Sequence, residues 1–192
     1  MELPTDFSIE FFTSSAEWEA WLEKHHEDTS GVWIKFAKKG SGITSLNYAQ
    51  ALDSALCYGW IDGQTKSIDD VYYLQKFTSR RAKSIWSKRN VGKVAELIKA
   101  GKMRPAGQAA IDAAKADGRW DKAYDSPSNA TTPLDFQEAL DQHPKAKAFY
   151  ETLNKTNTYA FLWRIQTAKK AETRAKRIAL SIEMLEDGKT FH

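Results

Sequence analysis

The chain has 192 residues, 42% of them hydrophobic and 28% charged, and a formal net charge of +3. That is enough for one domain with a small helical appendage, too apolar for a disordered chain, and too close to neutral for a polycation of the histone kind. A single cysteine, Cys57, excludes an internal disulfide framework and fits a reducing compartment.

Met1 to Asp6 carries neither a basic n-region nor an apolar h-region. No apolar run approaches the roughly 20 residues that a bilayer span needs. A cytoplasmic protein without membrane insertion is therefore expected. Ser14-Ser15-Ala16-Glu17 reads as a capping box, and Trp18, Trp21 and Leu22 give the helix behind it an apolar face. Gly31 precedes a strand, Val32 to Ala37, in which Val32, Ile34 and Phe36 alternate with Trp33 and Lys35. Ser45 is placed to cap a second helix whose core face is Ala49, Leu52, Ala55 and Leu56, with Gly59 as its left-handed terminator. Trp60–Thr65 and Val71–Phe77 read as two short strands.

From Asn90 the pattern turns helical. Asn90 is expected to cap Val91–Ala100, closed by Gly101, and Pro105 opens the next helix, which stops at Gly118. Asp-Ser-Pro-Ser-Asn and two threonines mark a linker. Thr132-Pro133-Leu134-Asp135 restarts a helix, Pro144 opens another, and Thr158–Lys169 and Ala171–Glu186 follow, ended by Gly188. The expected fold is α+β: a small antiparallel sheet with packed helices over residues 1–122, a linker at 123–132, and an all-helical unit over 133–192.

The densest cluster of costly residue types lies between Leu56 and Asn90. Trp60, Asp62 and Gln64 fall at i, i+2 and i+4, so a regular strand puts them on one face opposite Ile61 and Thr65. An aromatic ring beside a carboxylate and an amide makes a small-ligand wall. The plainer alternative is a turn at Asp62-Gly63 with Trp60 in the core. No Asp or Glu occurs between Asp70 and Glu96, while Lys76, Arg80, Arg81, Lys83, Lys88, Arg89 and Lys93 all fall there. Such an excess attracts anions, and Arg80 and Arg81 suit a carboxylate or phosphate. Ser84, Ser87 and Asn90 add neutral donors beside an expected helix N-terminus. Trp86 among these cations also has the look of a nucleic-acid surface, but no zinc finger, RNP motif or recognition helix supports that reading.

Other chemistry is poorly signalled. Cys57 falls in the last turn of an apolar-faced helix, where the dipole disfavours a thiolate, so a buried structural role is expected. His25 and His26 are adjacent and point about 100° apart on a helix, there is no Cys pair, and no calcium loop, P-loop, dinucleotide fingerprint or nucleophile elbow occurs. No metal and no cofactor is expected. In the tail, Arg174, Arg177 and Ser181 form one stripe of the last helix, expected to be a solvated basic face, with Ile178, Ile182 and Leu185 packed.

Taken together, the chain resembles the YdeI/OmpD-associated, bacteriocin-protection family over nearly its whole length. The resemblance rests on Trp18-Glu19-Ala20-Trp21-Leu22, Gly31-Val32-Trp33, Ala55 to Gly63, Phe77-Thr78-Ser79-Arg80-Arg81, Ser84 to Asn90, Gly101-Lys102-Met103, Gly118-Arg119-Trp120 and Ala168 to Arg174 with Arg177-Ile178. Ser79 departs from the proline usual there, which loosens the turn before Arg80. The resemblance implies resistance to antimicrobial peptides, association with an outer-membrane porin and a periplasmic location. The N-terminus argues against that location, and the basic stretch would repel cationic peptides. It carries over no catalytic residue.

The expectation drawn from these features is a cytoplasmic protein in stress or envelope defence that binds a small anionic ligand through Trp60, Asp62, Gln64, Arg80, Arg81, Ser84, Trp86 and Asn90. One alternative is an enzyme using Asp62 as acid/base and Arg81 as charge stabiliser. The other is an interaction module built on residues 76–93, for which a protein partner stays open and nucleic acid is disfavoured.

Overall fold

The computed structural model describes residues 3–27 and 31–191, and the fold is α+β. The chain forms two compact units, Met1–Trp86 with Asn90–Lys122, and Ser87–Arg89 with Ala123–His192.

The first unit is built on strands β1 (Ile9–Glu10), β2 (Gly31–Ala37), β3 (Trp60–Ser67) and β4 (Tyr72–Ser79), in spatial order β1-β2-β4-β3. The sheet is mixed, not wholly antiparallel, because β1 pairs parallel to β2. Two residues are too short to leave an alternation in the sequence, so this strand was not foreseen. Helix α1 (Ser15–His25) starts at Ser14, whose side chain accepts from the Glu17 amide. Trp18 on α1 is fully buried against Trp60 and Phe77, and its Nε1 donates to Ala51 O at 3.0 Å. Trp33 on the other sheet face is buried too, its Nε1 held by Asp6 at 2.8 Å.

Helix α2 (Tyr48–Cys57) is capped by Asn47 in a full capping box with Gln50, two residues later than the expected Ser45. Ser45 instead accepts from the Ala37 amide at 3.1 Å. Ala49 is exposed, and the buried face comprises Ala51, Leu52, Ser54, Ala55, Leu56 and Cys57. Gly59, at φ +72°, turns the chain from α2 into β3. Helix α3 (Lys88–Lys99) begins two residues before Asn90, which is buried within it instead of capping it. Helix α4 (Pro105–Ala116) opens on its proline as expected. Gly107 lies against the end of α2: a Cβ there would overlap the Cys57 carbonyl oxygen and stand 2.6 Å from Met103 Sδ.

The second unit contains α5 (Leu134–Gln142), α6 (Pro144–Glu151), α7 (Lys155–Gln166) and α8 (Ala171–Glu186). Pro133 is the N-cap of α5, not its first helical residue. Phe136, Leu140, Phe161, Ile165, Ile182 and Leu185 are its buried centre. The expected solvated stripe on α8 is instead a set of staples. Arg174 binds Asp135 through two bonds of 2.6 and 2.8 Å and donates to Ile165 O at 3.0 Å. Arg177 donates to Arg164 O and to Thr167 Oγ1, at the end of α7. Helix C-termini leave carbonyls without intrahelical partners, and the two guanidinium groups donate to two of the last carbonyls of α7. Ser181 is buried.

Two outcomes follow from these contacts. Gly107→Ala must push α4 off the α2 carbonyl, costing about 3 kcal/mol, or roughly 10 °C in melting temperature. Gly92→Ala has open space around it on α3 and should gain about 0.5–1 kcal/mol; thermal melts of the two variants must move in opposite directions. In the second unit, the Arg174 guanidinium lowers the Asp135 pKa. A depressed carboxylate pKa contributes stability above the unfolded value of about 3.9 and loses it as pH falls through the folded value. Acid titration of the helical unit should therefore show a loss of stability below about pH 4 that Asp135→Asn flattens.

Candidate functional site

Of the eight residues singled out between Leu56 and Asn90, the structure brings Arg80 onto Trp86 and Arg81 to Ser84. Trp60 is 1% exposed, boxed in by Trp18 and Trp21, with Nε1 on His26 O at 3.3 Å. Asp62 accepts from Tyr48 Oη at 2.8 Å. The β3–β4 register shifts between Asp62 and Thr65, so one extra residue bulges out at Gly63-Gln64. The bulge ends the regular alternation: Thr65 pairs with Gln75 and donates to its Oε1 at 2.5 Å, while Gln64 is exposed. Buried Gln75 fills the gap, its Nε2 donating to Gly63 O at 2.8 Å and Gln64 O at 3.2 Å. Spacing alone could not show that.

The basic run is partly neutralised by acids distant in sequence. Lys76 pairs with Asp6 at 2.6 Å, Lys88 with Asp125 at 2.8 Å and Lys93 with Asp53 at 2.6 Å. Arg80 lies flat on Trp86, its Cζ 3.5 Å from the ring centroid, and donates to Ile85 O at 3.3 Å. Trp86 is 1% exposed and also packs on Trp120, so it offers no face for a base to stack on. Its Nε1 has no hydrogen-bond partner among the described residues. Arg81 and Ser84 form a tight turn, the Arg81 amide donating to Ser84 Oγ at 3.1 Å, with the Arg81 side chain exposed. Asp62 and Arg81 share no hydrogen bond among the described residues and line neither cavity described next.

Two cavities stand out. In the second unit a groove of about 650 Å³ between α5 and α8 is floored by Ala139, Ala175, Ala179, Ile178 and Ile182. Asp135 there is paired with Arg174, His143 Nδ1 lies 2.8 Å from Glu186, and Glu183 makes no ion pair among the described residues. In the first unit a cleft of about 500 Å³ is lined by Ser15, Glu19, Gln50, Asp53, Ser54, Cys57, Tyr58, Leu97, Gly101, Lys102 and Arg104. Here the charges are not matched across the space. Lys102 makes no ion pair among the described residues, and Glu19 and Asp53 pair with neither Lys102 nor Arg104. We take this cleft as the candidate site because, of the two, it brings cations and carboxylates together around one space with no ion pair between them.

Most of these groups have an identifiable hold. Glu19 on α1 accepts from Ser54 Oγ at 2.9 Å. Asp53 on α2 is tied by one oxygen to Lys93. Tyr58 donates to Glu23 at 2.6 Å, and burial followed by that bond pushes its pKa up to about 12. Arg104 is the N-cap of α4 but caps no amide with its side chain, so a helix N-terminus stands beside it. The Cys57 thiol is pushed up to about 11, first by burial, then by Glu19 and Asp53, with Arg104 and Lys102 pulling the other way. It is a neutral wall of the cleft, and no nucleophile near neutral pH. Sequence reasoning missed Glu19, Asp53, Ser54, Lys102 and Arg104. Their one signal was Asp53-Ser54 interrupting an otherwise apolar α2.

Residues 10–110, just over half of the chain, match a family model described as a domain of unknown function, DUF8412. Residues 129–188 match the model described as bacteriocin-protection, YdeI or OmpD-associated. The resemblance read from the sequence is thus shown for the C-terminal part. The Ala55–Gly63 and Phe77–Arg81 segments that also carried it fall in the other family's region. No curated protein and no solved structure matches the chain.

The thiol supplies a test of the cleft's electrostatics. An unfolded cysteine titrates near 8.5, so the native state holds its proton more tightly between that value and about 11. Stability is then full below about pH 8.5 and declines across this window as pH rises. Iodoacetamide labelling should follow suit, slow at pH 8 and rising only above about pH 10. Glu19→Gln should shift that rise to lower pH; labelling at the free-thiol rate at pH 8 would contradict the assignment.

Proposed function

The chain belongs to the DUF8412 family, described as a domain of unknown function, and because that description names no activity, we propose from the cleft itself that the protein binds a small anionic ligand. The observation that carries this reading is Lys102, a cation with no ion pair among the described residues, set beside Arg104 on the wall of a cavity of about 500 Å³. A carboxylate or phosphate there gains two charge-assisted partners and the positive end of α4. The cavity volume falls within the range of small-molecule sites, roughly 300–1,000 Å³. Binding is favoured over catalysis because the Cys57 thiol, the softest nucleophile among the lining residues, is kept protonated by burial.

The match of residues 129–188 to a bacteriocin-protection model supports a place for this binding in stress or envelope defence. The lone buried thiol fits the reducing cytoplasm. No helix of the described residues is long and apolar enough to cross a membrane. Less supports the other two readings. Asp62 and Arg81 share no hydrogen bond among the described residues and line neither of the two cavities, and nucleic-acid binding through residues 76–93 would have to do without Trp86.

A thermal-shift screen against organic acids, phosphorylated metabolites and nucleotides tests the site. A ligand at about 100 times its dissociation constant adds about 2.7 kcal/mol, or roughly 5–10 °C for a chain of this size. The Lys102→Ala/Arg104→Ala double variant should melt like the parent without ligand and lose the shift with it. A shift retained in that variant moves the site elsewhere, and no shift from any class of anion rejects the reading.

A further inference from the structure

The cleft has two walls of opposite sign. Helices α1 and α2 bring Glu19 and Asp53, and the segment between α3 and α4 brings Lys102 and Arg104. All four charges act on the single Cys57 sulfur, the carboxylates raising its pKa and the cations lowering it, which puts both walls around one point. They do not neutralise each other: no ion pair among the described residues joins the acidic wall to the basic one. The acidic wall also has acceptors to spare. Ser54 occupies Glu19 Oε1 and Lys93 occupies Asp53 Oδ1, leaving Glu19 Oε2 and Asp53 Oδ2 without a partner among the described residues.

We propose that the ligand is a small zwitterion, one molecule carrying an ammonium and a carboxylate a few bonds apart, as in an amino acid. Its carboxylate lies on Lys102 and Arg104, and its ammonium donates to Glu19 Oε2 and Asp53 Oδ2. This rests on the reading of the cleft as an anion site and sharpens it. An anion without an amine would leave Glu19 Oε2 and the free oxygen of the Lys93-bound Asp53 unsatisfied across the same space. A simple amine would face two cations. Only a molecule with both groups completes both walls. The remaining lining is mostly hydroxyl, thiol and amide, with Leu97 its one aliphatic side chain, so the ligand's own side chain is short or polar.

Isothermal titration calorimetry of the full chain decides the matter. The probes are the twenty protein amino acids, β-alanine and γ-aminobutyrate, each hit being repeated with its des-amino acid and with its decarboxylated amine. The expected result is one or more zwitterions binding at least tenfold tighter than either singly charged analogue. Glu19→Gln with Asp53→Asn, near-isosteric changes whose folding is checked by circular dichroism, should reduce the zwitterion to the affinity of its des-amino acid. Lys102→Ala with Arg104→Ala should reduce it to that of the amine. A des-amino acid binding as tightly as its zwitterion overturns the zwitterion proposal and leaves the anion site standing. An amine binding as tightly as its zwitterion overturns both. If no zwitterion binds, this proposal falls, while the anion panel separately decides the broader reading.

Discussion

The contact on which the first unit depends is the close approach of Gly107 to the Cys57 carbonyl. That carbonyl is the last of α2, and it accepts from the Arg104 amide at 3.2 Å. Any side chain at residue 107 would occupy the space of that oxygen. Two residues on, Gly59 takes φ +72° and its carbonyl accepts from the Arg80 amide at 3.0 Å, which launches β3 beside β4. One short stretch therefore ends a helix, begins a strand and seats α4. Because Arg104 is held at α4's first turn by this contact, the basic wall of the cleft is positioned by the backbone of the acidic one. The site is as rigid as the helix contact beneath it.

The charge pattern shows why linear sequence misjudges electrostatics. A stretch without acids from Val71 to Ala95 reads as an excess of seven positive charges. In the folded chain Asp6, Asp53 and Asp125 each reach one of those cations. Coulomb attraction depends on distance in space, and partners such as Lys76 and Asp6 are 70 residues apart along the chain. The arginines of α8 repeat the point. Read on a helical wheel they are a solvated stripe; in place they satisfy carbonyls at the end of α7 and hold Asp135.

What was legible followed local rules. The α1 cap, the Pro105 and Pro144 helix starts, the Ala171–Glu186 helix and the left-handed glycines at 59, 101, 118 and 188 all depend on residues within one turn of each other. What was not legible depended on tertiary context. The parallel strand β1 exists only because β2 offers it an edge, and the bulge at Gly63-Gln64 is stabilised by Gln75 from the opposite strand. Asn90 has the chemistry of a cap, but α3 starts earlier at Lys88, whose amide donates to Tyr124 O at 2.8 Å. The candidate cleft was hidden for the same reason: its charged residues come from positions 19, 53, 102 and 104, with no spacing to link them.

The charges of the cleft are arranged differently from the ion pairs found elsewhere. Several half-buried cations are matched there, Lys76 to Asp6, Arg119 to Asp117 and Arg174 to Asp135. In the cleft Lys102 and Arg104 are exposed and keep their hydration, while Glu19 and Asp53 are half-buried, and no ion pair among the described residues joins the two sets. A bond from Lys102 to Glu19 would join the two walls. No such bond forms, although a lysine stem is long and flexible. Opposite charges held near one thiol but kept from pairing leave bonding capacity that a ligand carrying both signs can use, and a cavity of about 500 Å³ between them is where it would sit.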